Sequence, residues 1–289
     1  MNTLEVMQQV RDEFNFNVVK LPLKGPDNAA TPHYGLFRDD DGVCVGSAVR
    51  ARYTPHSTDD VCVLTEAAIE AFGDTTVECY WNNGHKVLIQ PSKDERRAIY
   101  GTADNIFMRC MISAGYDGTP FRASLGMYRD ACKNLSIPRL VEGTTARITH
   151  TKSLRPKMKG LIASFERVKA GWDTLANLAT RMQASEVRLA DFLTQVYGEP
   201  EPGSKRGETI ARDRTEAIFR RVQSERIKTG RPDFDGNFNV SVWEVYNGIQ
   251  GFVQHDGGMR EKNPIARILK AAENQNVIKA ERLALSMIS

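Results

Sequence analysis

Arg147, His150, Lys152, Arg155, Lys157 and Lys159 fall in a stretch that holds no acid between Glu142 and Glu166. Basic side chains gathered without counter-charges suit phosphates, lysine as a point charge and arginine as a planar fork matching two oxygens. The local pattern sets Arg147 on a strand, Lys152 in the turn after it, and Arg155 to Lys159 in the first turns of a helix. Cations at a helix start oppose the macrodipole whereas an anion there is favoured, so the crowding makes sense with a phosphate completing the site. The plainer alternative is a solvated loop that happens to be basic.

Two strands supply a second group. Over 106–113, alternation sets Ile106, Met108, Cys110 and Ile112 on one face and Phe107 and Arg109 on the other. Over 121–129 it sets Phe121, Ala123, Leu125 and Met127 inward and Arg122, Ser124 and Tyr128 outward. A face of Phe107, Tyr128, Arg109 and Arg122 has the chemistry of a single-strand platform, where rings stack on bases and guanidiniums follow phosphates. The competing reading is that a helix covers this face and Phe107 is core. A third basic group runs from Lys205 to Arg231, but Glu208, Asp213, Glu216 and Glu225 are interspersed, so part of it is expected to pair along its own helix.

Other chemistry finds little support. The chain has no phosphate-binding loop, dinucleotide fingerprint, zinc-protease helix or nucleophile elbow. Its histidines, at 33, 56, 85, 150 and 255, share no ligand spacing, and Cys44, Cys62, Cys79, Cys110 and Cys132 stand singly, which argues against a zinc site and a disulfide framework. Asp39-Asp40-Asp41 reads as a solvated hairpin tip, because consecutive turn residues do not aim at one centre. No catalytic residue, metal or cofactor is expected.

The elements that must position these residues follow from pattern. Of 289 residues and a net charge of +3, segment 139–231 carries +8, against −4 before it and −1 after it, so a neutral sum hides a basic middle. Hairpins are expected around Asp39 to Gly42 and around Asn82-Asn83-Gly84, a capped helix over 57–72, and strands at 106–113, 121–128 and 144–151. The period then changes. Leu154, Met158, Leu161, Phe165, Val168, Trp172, Leu175, Ala179 and Met182 alternate spacings of four and three, predicting one long helix whose stripe either covers the sheet or meets another subunit. After a loop at 198–207 come a basic helix over 209–229, a capping box at Ser241 to Glu244 opening a helix stopped by Gly257-Gly258, and a last helix from Asn263-Pro264. No apolar run is long enough to span a membrane.

Specific segments carry a resemblance. Arg50-Ala51-Arg52-Tyr53-Thr54-Pro55, Gly115-Tyr116-Asp117-Gly118-Thr119, Cys132-Lys133-Asn134-Leu135, Ala146-Arg147-Ile148-Thr149-His150-Thr151 and Val242-Trp243-Glu244-Val245-Tyr246-Asn247, ending near His255, resemble in order a phage and plasmid-like protein family known as a domain of unknown function. The resemblance spans roughly 43–285 and implies a mobile element and the cytoplasm of a host bacterial cell, with no catalytic residues to carry over. The basic 152–159 stretch departs from it, since acidic helix residues would be expected there. The element order, three antiparallel strands and then a long helix, is also similar to the core of phage single-strand annealing proteins, which form rings or filaments.

The expectation is therefore an α+β fold: an antiparallel sheet with hairpins packed by a long helix, then a mostly helical half. Residues 1–151 are read as mainly β with one helix and 152–289 as helical, either separate or as one continuous domain. The expected function is non-specific single-stranded DNA binding and annealing in recombination by a homo-oligomer, without covalent chemistry. Arg147, His150, Lys152, Arg155, Lys157, Lys159, Arg109 and Arg122 would meet phosphates, and Phe107 and Tyr128 would stack on bases. The alternative is an oligomeric structural or protein-interaction factor of a phage or plasmid that uses the heptad stripe.

Overall fold

The computed structural model describes residues 3–73, 78–82, 85–99, 101–231, 238–256 and 263–288, and at 47, 78–82 and 85–95 the backbone alone. The expected Asn83-Gly84 turn and the Gly257-Gly258 helix stop lie outside the described residues. The chain begins with α1 (Thr3–Glu13), a helix that the mainly-β reading of the first half did not include. An antiparallel sheet in the order β1 (Val18–Lys24), β2 (Ala30–Arg38), β3 (Cys44–Arg50) follows. Its β2–β3 turn is the Asp39 to Gly42 tip, with Gly42 at φ 71°, a conformation glycine adopts without steric cost.

Helix α2 (Thr58–Phe72) opens on a complete capping box, in which the Ser57 hydroxyl accepts from the Asp60 amide and the Asp60 carboxylate accepts from the Ser57 amide. Its expected apolar face, Val61, Leu64, Ala68 and Phe72, is buried. The larger sheet runs β4 (Glu78–Asn82), β5 (His85–Ala98), β6 (Asn105–Gly115), β7 (Phe121–Arg129), β8 (Asn134–Ser136), with β9 (Thr145–Ile148) also paired to β7. The expected hairpin is present as the antiparallel β4–β5 pair.

The long helical run is two helices, α3 (Leu154–Ala163) and α4 (Phe165–Ala184), rather than one. The break is at Ser164, whose hydroxyl donates to the Leu161 carbonyl at 2.6 Å and so competes with the helical ladder. The stripe survives the break, and all nine of its residues from Leu154 to Met182 are buried within a single chain. The remainder is helical: α5 (Leu189–Tyr197), α6 (Lys205–Lys228), α7 (Val242–Gly251) with a π-turn to Asp256, α8 (Pro264–Glu273) and α9 (Gln275–Met287). A short ribbon of β10 (Glu186–Arg188) and β11 (Asn239–Ser241) lies among them in the chain. The expected last helix is divided at Asn274, whose side chain caps α9.

These elements form an α+β fold of two compact units, each assembled from separate segments: 1–94, 109–125 and 143–171 in the first, and 95–108, 126–142 and 172–289 in the second. The sequential division at 151 describes the order of elements but not their packing. In the first unit Phe16, Leu36, Val45, Val49, Tyr53 and Tyr116 make one buried cluster. In the second, α7 is buried on every side, and Gly248 lets it approach α6 so closely that an added Cβ would meet Val222 at 2.6 Å. Gly46 is tighter still, because a Cβ there would lie 2.1 Å from the backbone oxygen of Tyr116. Gly46→Ala is therefore expected to destabilise the protein by about 1 to 3 kcal/mol, read as a lower urea midpoint at unchanged slope.

Candidate functional site

The first unit assembles the basic junction. Strand β9 pairs antiparallel with β7 in a register that sets Phe121 opposite Ile148 and Arg122 opposite Arg147. Directly opposed residues share one face of a sheet with Cβ atoms about 5 Å apart, and like charges so placed repel. Arg147 is exposed and Arg122 half-buried. Beyond β9 the chain turns into α3, which packs its Leu154, Met158 and Leu161 face inward and leaves Arg155, Lys157 and Lys159 exposed, as does the turn at Lys152.

The start of α3 lacks the usual anionic complement. Ser153 makes no side-chain cap hydrogen bond, and the first turn contains no acid. Arg155 meets the Asp60 carboxylate at 3.4 Å, and Lys157 donates to Thr151 Oγ1 at 3.1 Å. Arg122, Arg147, Lys152 and Lys159 form no ion pair among the described residues. The site is thus a run of cations facing water at a helix N-terminus, with one neighbouring carboxylate, which is already a cap of α2.

His150 does not belong to this surface, although the sequence reading placed it there. Alternation along 147–150 turns it opposite to Arg147, and it is 5 % exposed. Its ring stacks on Tyr53 and Phe121 with centroids 5.1 and 5.0 Å away, and lies 5.1 Å from His56, which itself stacks on Tyr116 at 4.1 Å. Burial lowers its pKa to about 4, against the pull of nearby backbone carbonyls and of Asp117 and Asp60. A neutral, enclosed imidazole cannot contact a phosphate.

Arg109 is half-buried on β6 and already engaged by its surroundings. Phe107 and Tyr128 fall in the second unit, half-buried, with ring centroids 6.4 Å apart and planes inclined by 57°, so each ring has the other as a partner. The acidic tip is spoken for: Asp39 accepts from the Asn17 amide, Asp40 pairs with Arg38, and Asp41 accepts from the Val43 amide. Among the described residues there is no group of three or more His, Cys, Asp or Glu placed to hold a metal ion.

Sequence reasoning missed the charges of the second unit's interior. Arg129 is 2 % exposed and is clamped between Asp104 and Glu225, while the Trp243 indole nitrogen donates to Asp104 at 3.3 Å. Burial alone would lower the Arg129 pKa, but the surrounding anions outweigh it and the guanidinium stays charged; burial raises that of Glu225. Nearby in sequence, Arg226 and Arg231 both reach Glu244, whose carboxylate also accepts from the Ser241 amide. The signal was available: Arg129 continues the inward parity of Phe121, Ala123, Leu125 and Met127, and a charge on a core register requires buried partners.

Fold and site together define an α+β protein with an uncompensated cationic junction. The chain belongs to the family described as Domain of unknown function (DUF932), which matches residues 46–278 and so includes every segment that carries the resemblance. No curated protein and no solved structure matches it.

Two outcomes follow. Arg129→Ala leaves Asp104 and Glu225 as unpaired buried carboxylates and is expected to destabilise the protein by about 3 to 5 kcal/mol in urea unfolding. For His150, with a folded value near 4 against the ordinary 6.5, the unfolded chain binds the extra proton between the two. Its contribution is therefore complete above about pH 6.5 and falls, by roughly 3 kcal/mol in all, as the pH drops to about 4. His150→Phe keeps a ring in the cage and should flatten this part of the stability profile; an unchanged profile would remove the assignment.

Proposed function

We propose that the protein binds single-stranded nucleic acid without sequence preference, holding phosphates on Arg122, Arg147, Lys152, Arg155, Lys157 and Lys159. The observation that carries this reading is the exposed junction itself, where two arginines face each other across a strand pair beside a helix start that lacks an acid. An anion between Arg122 and Arg147 relieves their repulsion, and an anion at α3 supplies the missing complement to its dipole. A solvated basic loop would have no reason to keep these cations opposed and unneutralised.

The activity we assign is annealing during recombination of a phage or plasmid, in the host cytoplasm, by a homo-oligomer and without covalent chemistry. Its support is the resemblance to a phage and plasmid-like family and the succession of β6, β7, β9 and the α3–α4 run. Phe107 and Tyr128 belong to the second unit and contact each other, so the reading rests on phosphate capture by the first unit. The heptad stripe gives no support to the alternative of assembly through its face, because its residues are core.

Binding of an oligonucleotide should weaken with salt at a slope of about −0.7 per phosphate contact, and Arg147→Glu with Lys152→Glu should cut that slope by about 1.4 or more. The same Arg147→Glu change replaces a repulsive pair by an attractive one, so it is expected to stabilise the fold by about 0.2 to 1 kcal/mol while weakening binding. Flat, weak binding across salt concentrations, or a charge reversal that leaves the slope unchanged, would refute the assignment.

A further inference from the structure

Part of the charge of the basic helix α6 pairs along the helix, as its interspersed acids suggested, Arg212 with Asp213 and Arg220 with Glu216, while Arg226 reaches Glu244 on α7. One face of the helix also borders a cavity. Arg220, Arg221, Ser224, Glu225 and Lys228 recur at helical spacing and, with Lys133 and Asp256, line a cleft of about 490 Å³ in the second unit. This volume lies within the range of small-molecule sites, about 300 to 1,000 Å³.

The lining is arranged in two layers. At the rim Arg220, Lys228 and Lys133 are exposed, and their pairings, with Glu216, the Ala131 carbonyl and Asp130, are the weak, solvent-screened kind that an incoming anion displaces. Arg221 is more constrained, with Nε and one terminal nitrogen donating to Asp256 Oδ2 at 2.9 and 2.6 Å. It lies over Gly251, where an added Cβ would come within 2.7 Å of its side chain. At the inner end Glu225 is 2 % exposed; one oxygen is bound by Arg129, and Oε1 has no hydrogen-bond partner among the described residues. A buried carboxylate oxygen without a donor is costly, and Glu225 is one of the residues that line the cleft.

Four cations, Lys133, Arg220, Arg221 and Lys228, line the cleft against two carboxylates, Glu225 and Asp256, so its lining favours an anion. We propose that it binds a phosphate monoester that also carries a hydroxyl or amino donor, with the phosphate on Arg220, Arg221 and Lys228 and the donor on Glu225 Oε1. Inorganic phosphate satisfies the rim only, and an uncharged polyol the inner end only, so the chemistry selects sugar phosphates and nucleotides. This goes beyond the single-strand reading and does not rest on it.

Isothermal titration of the full chain with ribose 5-phosphate, methyl phosphate and inorganic phosphate tests the assignment. Ribose 5-phosphate is expected to bind about tenfold more tightly than the other two, the worth of one hydrogen bond to a charged acceptor. The Arg220→Ala/Lys228→Ala double variant changes exposed positions only and should weaken ribose 5-phosphate by about tenfold or more at unchanged melting temperature. Arg147→Glu/Lys152→Glu should leave ribose 5-phosphate binding as it is, so loss of oligonucleotide binding and loss of this site are read separately. No binding of ribose 5-phosphate, equal affinity for all three compounds, or unchanged affinity in the rim variant would each overturn the proposal.

Discussion

A one-residue slip of β7 against its neighbours would turn Phe121, Ala123, Leu125, Met127 and Arg129 to the opposite face of the sheet and put Arg122 and Tyr128 in their place, because side chains alternate with a period of two. Both units depend on that register. In the first, Phe121 enters the cage of Tyr53, His56, Tyr116 and His150. In the second, Arg129 enters the clamp of Asp104 and Glu225. The same parity turns Arg122 toward the face it shares with Arg147. Apolar burial and charge pairing therefore specify one register jointly, and a guanidinium buried without its two carboxylates would penalise any other.

The protein treats its charges in two contrasting ways. Inside the second unit, Arg129, Arg226 and Arg231 are matched with Asp104, Glu225 and Glu244. At the β9–α3 junction the cations remain in water, and two of them face each other. Paired interior charges resist rearrangement because removing one partner strands the other in a low-dielectric site. Opposed exposed charges weaken the fold slightly and create a local potential that a polyanion can satisfy. The contrast between neutralisation within and excess outside is the physical basis for assigning a ligand to the junction.

His150 shows how the two regimes meet within a few residues. Arg147 and Lys152 on either side of it are exposed, while its own ring is enclosed by aromatic side chains. Three basic residues that look alike in a charge count thus have different roles, because strand parity and the turn at Lys152 send them to opposite sides. A cluster defined by residue type alone overcounts its members wherever a strand crosses it.

What was legible in the sequence was whatever depends on neighbours along the chain. The Ser57–Asp60 and Ser241–Glu244 capping boxes, the β2–β3 hairpin, the inward faces of β6 and β7, the buried stripe from Leu154 to Met182 and the exposed cations from Lys152 to Lys159 each follow from spacing and local hydrogen bonding. The break at Ser164 was not legible, since serine is compatible with a helix until its hydroxyl bonds back to Leu161. Nor were the partners of Arg129, which lie 25 residues before it at Asp104 and 96 after it at Glu225. By itself the sequence determined the α+β class, the order of elements and the basic character of the middle of the chain, because propensity, periodicity and charge are local. Only the tertiary structure decided that the stripe is core, that His150 is enclosed, that Arg122 opposes Arg147, and that α6 lines a cleft with an unpartnered Glu225 oxygen. Those depend on which distant segments meet, and burial and pairing exist only once they have met.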